Sequence, residues 1–192
     1  MDLLKRKLTG NGAAAGTELI KVDSFLNQQL DIGLFMAIGK ELYSRFGHLG
    51  INKILTMEAS GIAIAAITSM YFDLAPVVFA KKSRPDRMTG ECYTAEVKSF
   101  TENIVYTAQI DKSCLNENDR LLIVDDFLAS GETAMGLCTL AKQAGAVVCA
   151  ITGIIEKEFL GGSRKLREAG YHVDSLAVIT KIENGTIYFK EN

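Results

Sequence analysis

Four short, nearly unbroken apolar runs, separated by stretches of helical periodicity, set the strongest limit on how this chain can fold. They are INKILTM (Ile51 to Met57), PVVFAKK (Pro76 to Lys82), RLLIVDD (Arg120 to Asp126) and AVVCAITGIIEK (Ala146 to Lys157). Strands that are apolar at almost every position need cover on both faces, and a mostly parallel sheet flanked by helices provides it. The residues between the runs supply those helices. After Asp31, a favourable N-cap, Ile32, Phe35, Ile38, Leu42 and Phe46 recur at three- and four-residue steps until Gly47 and Gly50. Ile62 to Phe72 reads as a helix apolar on most faces, Gly131 to Gln143 as another, and Ser163 to Ala169 as a short one. The predicted class is α/β. A length of 192 residues allows one sizeable core, and no shift in composition marks a second domain.

One segment departs from this rhythm. SRPDRMTGECY (Ser83 to Tyr93) is polar and is broken by Pro85 and Gly90, whereas TAEVKSF and NIVYTAQI after it alternate like paired strands. The pattern predicts a mobile loop feeding a hairpin. Charge is nearly balanced, with 21 Lys and Arg against 23 Asp and Glu, so no basic surface for nucleic acid is expected. Cys92, Cys114, Cys138 and Cys149 show no C-x-x-C spacing, and only His48 and His172 accompany them, which argues against a structural zinc site. The opening MDLLKRKLTGNG lacks the apolar run of a signal peptide, and no apolar stretch reaches membrane-spanning length. A cytoplasmic protein with reduced thiols, meeting neither membrane nor nucleic acid, is the expectation.

Ligands of parallel sheets bind beyond the carboxyl ends of the strands. Two turns there carry suitable chemistry: Glu58-Ala59-Ser60-Gly61, and the end of LLIVDDFLASGETA (Leu121 to Ala134). In the second, Asp125 and Asp126 leave a buried strand side by side, and their repulsion needs a donor opposite them. A ribose diol is such a donor. Ala129, Ser130, Gly131, Glu132 and Thr133 then open a helix, whose N-terminal N–H groups, with the two hydroxyls, can hold a phosphate. Taken alone, the acid pair also suits a solvated strand end, and Ser130 a simple cap.

The whole string, four apolar residues, D-D, two apolar residues and A-S-G-x-T, resembles the phosphoribosyl-diphosphate motif of type I phosphoribosyltransferases. Lysines ending a strand before a polar loop fit the same family. So do KVDSFLNQQLD (Lys21 to Asp31) and IIEKEF (Ile154 to Phe159), which resemble the purine-covering hood of its bacterial xanthine enzymes. The resemblance covers nearly the whole chain. It implies the type I phosphoribosyltransferase fold with a hood formed by about 1–30 plus 157–192, and a flexible lid at Ser83 to Tyr93.

It further implies catalytic roles for Asp125 and Asp126, diphosphate contacts from Ala59, Ser60 and Lys81, and base contacts from Ile20, Asn27 and Lys157. Mg²⁺ carried on the diphosphate donor, xanthine as acceptor and a homodimer complete the implied set. Glu132 departs from the family pattern, which often has glycine there, so its carboxylate is expected to face away from the phosphate. Ser60 stands where adenine enzymes carry arginine, which weighs against adenine. Two alternatives stay open: a transferase for guanine, hypoxanthine or adenine, and a non-catalytic sensor of the donor. A dinucleotide-binding domain would need a G-x-G-x-x-G signature that is missing.

Overall fold

The protein is described by a computed structural model over residues 1–10, 14–15, 19–83, 91–98 and 104–191. In chain order the elements are α1 (Asp2–Gly10), β1 (Ala14–Ala15), β2 (Leu19–Ile20), a π-helical turn (Asp23–Asn27), α2 (Ile32–Phe46), β3 (Lys53–Met57), α3 (Ser60–Ser69) and β4 (Val77–Ser83). They continue with β5 (Cys92–Lys98), β6 (Val105–Asp111), β7 (Arg120–Leu128), α4 (Glu132–Gln143), β8 (Val147–Lys157), α5 (Gly162–Glu168), β9 (Ala177–Glu183) and β10 (Thr186–Phe189).

Eight strands form one sheet in the order β10-β9-β8-β7-β3-β4-β6-β5. The four junctions linking β9, β8, β7, β3 and β4 are parallel, and the three junctions toward the edges are antiparallel. The central strands are apolar throughout because successive residues enter different cores. Ile54, Leu122 and Val124 pack with α2 and α3, whereas Leu55, Leu121 and Ile123 pack with α4. This is the two-sided cover that the sequence demands.

Local signals act where they stand. The Asp31 carboxylate accepts the Leu34 N–H at 3.0 Å and so caps α2. Asn184 and Gly185 both have positive φ, the geometry of the tight turn joining β9 to β10. The two chain termini meet: the Met1 amine donates to the Leu176 carbonyl at 3.1 Å, and Lys5 Nζ lies 5.6 Å from the Phe189 ring centre. The hairpin expected after the polar loop is β5 and β6, paired antiparallel from Cys92 opposite Asp111 to Lys98 opposite Val105. Most of the expected lid, residues 84–90, lies outside the described residues; Ser83 ends β4, and Cys92 and Tyr93 begin β5. No helix among the described residues is long and apolar enough to cross a membrane.

Candidate active site at the carboxyl ends of β3 and β7

β3 and β7 are parallel neighbours, so the turns that follow them, Glu58 to Gly61 and Ala129 to Gly131, emerge at the same end of the sheet. They touch closely. A Cβ on Gly61 would stand 1.9 Å from Thr56 Oγ1, so only glycine lets α3 begin this near the sheet. The peptide between Glu58 and Ala59 is cis, and α3 starts at Ser60. From the next strand, the backbone N–H of Lys82 donates to Glu58 Oε1. The turn is thereby tied to the end of β4, where Lys81 and Lys82 are both exposed.

Asp125 is buried, and its Oδ1 accepts the N–H of Asp126 at 3.0 Å; Asp126 Oδ1 in turn accepts the N–H of Phe127 at 2.9 Å. Burial pushes the Asp125 carboxyl well above the usual carboxylate range, and the neighbouring Asp126 charge pushes it the same way. The Lys82 ammonium pulls it down. Lys82 also lies 5.3 Å from the Tyr106 ring centre. Sequence reasoning singled out Lys81 of this pair; the structure adds Lys82 as the cation whose field reaches Asp125.

Gly131 adopts φ +80 immediately before α4. The twelve residues of α4 end toward the acidic pair with the N–H groups of their first turn, which lack carbonyl partners within the helix. This turn is gripped from outside by α5. Gly162 N–H donates to the Ala129 carbonyl at 3.0 Å, and a Cβ on Gly162 would lie 2.3 Å from that oxygen and 2.5 Å from the Gly131 nitrogen. The start of α5 is itself anchored, since Ser163 Oγ donates to Glu156 Oε1 in the interior. The Glu132 carboxylate is paired with a side chain of α5: its Oε1 meets Lys165 Nζ at 2.6 Å.

The expected base contacts are spread over three elements. Ile20, in β2, is buried in the same core against which Phe127 packs. Lys157, ending β8, places Nζ 5.3 Å from the centre of the Phe127 ring, so strand pairing of β7 with β8 brings that lysine beside the acidic segment. Asn27 is exposed at the end of the π-helical turn. Phe127, Gly162 and Lys165 are the neighbours that the sequence reading overlooked. The adjacent glycines Gly161 and Gly162 were the visible signal, since paired glycines before a helix often mark a close backbone approach.

Among the described residues, no three His, Cys, Asp or Glu side chains converge as a metal cage. The donor set suits an Mg²⁺ that keeps substrate phosphate and water oxygens as ligands, with at most one or two carboxylates from the chain.

A mostly parallel sheet carrying an acid pair, a glycine turn and a helix start at its carboxyl edge is the arrangement of a type I phosphoribosyltransferase. Solved structures with this fold include an adenine phosphoribosyltransferase from Rhodothermus marinus, with a TM-score of 0.74 and 19% identity over 93% of this chain and 100% of that one. Another from Thermoanaerobacter pseudethanolicus gives a TM-score of 0.66 and 28% identity over 77% and 81%. The sequence narrows the class. A xanthine phosphoribosyltransferase of Ruminiclostridium cellulolyticum is 46% identical over 191 residues, 100% of this chain and 100% of its own. Xanthine phosphoribosyltransferase 2 of Clostridium botulinum strain Langeland is 47% identical over 190 residues, 99% of this chain and 100% of its own. The chain belongs to the xanthine phosphoribosyltransferase family. No protein-family model matches it.

Proposed function

We propose that the protein serves purine salvage by transferring the 5-phosphoribosyl group of 5-phospho-α-D-ribose 1-diphosphate (PRPP) to xanthine, giving xanthosine 5′-monophosphate and diphosphate. The observation that carries this reading is the buried Asp125 beside Asp126, two strand residues before the glycine turn, in a chain related along its whole length to xanthine enzymes. The C1–O bond to diphosphate breaks, a C1–N bond to the purine forms, and the ring nitrogen releases its proton.

Ala129, Ser130, Gly131, Glu132 and Thr133 hold the 5-phosphate through backbone N–H groups and hydroxyls. Asp125 and Asp126 accept from the ribose hydroxyls and stabilise positive charge as it develops on the sugar. Ala59, Ser60 and Lys81 receive the departing diphosphate, with Lys82 beside them. Mg²⁺ on the donor would neutralise part of the diphosphate charge. Ile20, Asn27 and Lys157 border the base; a lysine donates to the oxo groups of xanthine and suits the amino group of adenine poorly. The hood, about 1–30 plus 157–192, would cover that base, and the meeting of Met1 with Leu176 supports the two segments acting together. A homodimer is supported by the exposed apolar stripe Ile32, Met36 and Tyr43 on α2. Action in the cytoplasm agrees with four free cysteines.

The test is a panel assay: purified protein, donor and Mg²⁺ with xanthine, guanine, hypoxanthine or adenine, following diphosphate release. Fastest turnover with xanthine is expected. A faster rate with guanine overturns the acceptor assignment. Donor binding without turnover of any purine identifies a sensor instead.

A further inference from the structure

Glu132 puts a carboxylate at the first residue of α4, in the segment assigned to the phosphate, where an unbalanced negative charge would oppose the ligand. Lys165 answers it at 2.6 Å from a helix that begins thirty residues later in the chain. That helix is held in place. Gly162 N–H is bonded to the Ala129 carbonyl, and Ser163 is bonded to Glu156 on β8, so α5 is docked on the same turn that it serves. The Lys165 side chain remains half exposed, which leaves the pair open to substitution without loss of core packing.

We infer that Lys165 is a positioning residue for donor binding: it draws the Glu132 carboxylate away from the amides of the turn and cancels its charge, so that a phosphate meets a neutral rim. The inference rests on the phosphate role proposed for residues 129–133. An ordinary surface ion pair would leave ligand affinity unchanged, and the two cases separate by measurement.

The experiment compares the full-length protein with K165M, K165R and the double variant E132Q/K165M, at low salt. It reads the Kd for ribose 5-phosphate by calorimetry, the KM for PRPP and kcat. K165M is expected to raise Kd and KM roughly fivefold, the order for one unit charge several ångströms from a phosphate through screened surroundings, with kcat little changed. K165R keeps the affinity of the parent. Adding E132Q to K165M recovers most of what was lost, and the difference shrinks as salt rises to about 0.5 M. An unchanged Kd in K165M overturns the inference. So does a double variant as weak as K165M, which would make the lysine a direct phosphate ligand. If the parent protein binds no ribose 5-phosphate, the phosphate assignment fails first, a result distinct from parent-like variants.

Discussion

Asp125 and Asp126 share a hydrogen bond in which the buried carboxylate of the first accepts the backbone N–H of the second at 3.0 Å. Burial and the adjacent charge raise the Asp125 pKa above the value near 4 that an unfolded chain has. Between those two pKa values the folded state holds a proton that the unfolded state has released. Stability therefore falls as pH rises through that window. A carboxyl whose pKa is raised by folding costs native-state stability at neutral pH. Asp125→Asn removes that cost and should raise Tm at pH 7 by about 2–4 °C, the shift that ~1 kcal/mol produces in a chain of this size. The gain should fade below about pH 4, where both states are protonated. Turnover of the same variant should drop about a hundredfold, the scale for loss of one transition-state contact. A variant that melts lower at pH 7, or keeps full activity, contradicts this account.

Gly162→Ala tests the contact between α5 and the glycine turn. Its Cβ would lie 2.3 Å from the Ala129 carbonyl oxygen and 2.5 Å from the Gly131 nitrogen, both backbone atoms that cannot swing aside. The turn must move. A loss of about 1–3 kcal/mol in urea unfolding is expected, in the range of overpacking substitutions. The KM for the donor should rise as well, whereas Gly170→Ala, with open space around it, should leave that KM in place.

Much of this architecture is legible in the sequence, because its causes are local. The runs ending at Met57, Lys82, Asp126 and Lys157 became β3, β4, β7 and β8 through continuous apolar content. Asp31 announced α2 through its own carboxylate. The acids and the glycine turn are adjacent in sequence and stayed adjacent in space. The rest needed information from far along the chain. Nothing near Glu132 reveals that its partner is Lys165, and nothing near Ala129 reveals Gly162. The reading also placed no helix or strand before Asp31 or beyond Ala169, where α1, β9 and β10 form. The Asn184-Gly185 dipeptide was an available hairpin signal for the last two.

At the opposite edge of the sheet, Lys53 Nζ and Asp119 Oδ2 meet at 2.8 Å with side chains only 14% and 8% exposed. Asp119 also accepts the Asn116 N–H at 2.8 Å. Asp119→Ala would leave a nearly buried ammonium without its counter-charge, held only by the Cys114 carbonyl at 2.9 Å, and leave that N–H unpaired. It should destabilise the protein by about 3 kcal/mol. Chemical unfolding of the single and Lys53→Met/Asp119→Ala variants measures it, and the double variant should be the more stable of the two. Because this pair lies at the amino ends of β3 and β7, the donor KM should not change in any variant that remains folded.

Lys157 stands beside Phe127, and its ammonium is the expected donor to an oxo group of the base. Lys157→Met should lower kcat/KM for xanthine about tenfold to a hundredfold, the range for loss of one charge-assisted hydrogen bond of ~1.5–3 kcal/mol. The KM for the donor should hold. Equal losses for adenine and xanthine would show that the lysine does not choose between them.

The bond from Gly162 to Ala129 also makes the bend depend on a part of the chain that is synthesised later. A nascent chain released from the ribosome tunnel only as far as β8 already carries the aspartate pair and the glycine bend, yet the backbone donor that braces the bend is still to come. The bend assigned to the sugar phosphate is therefore braced only once the chain extends past the start of α5, and a truncated product ending before α5 would carry the motif without its brace.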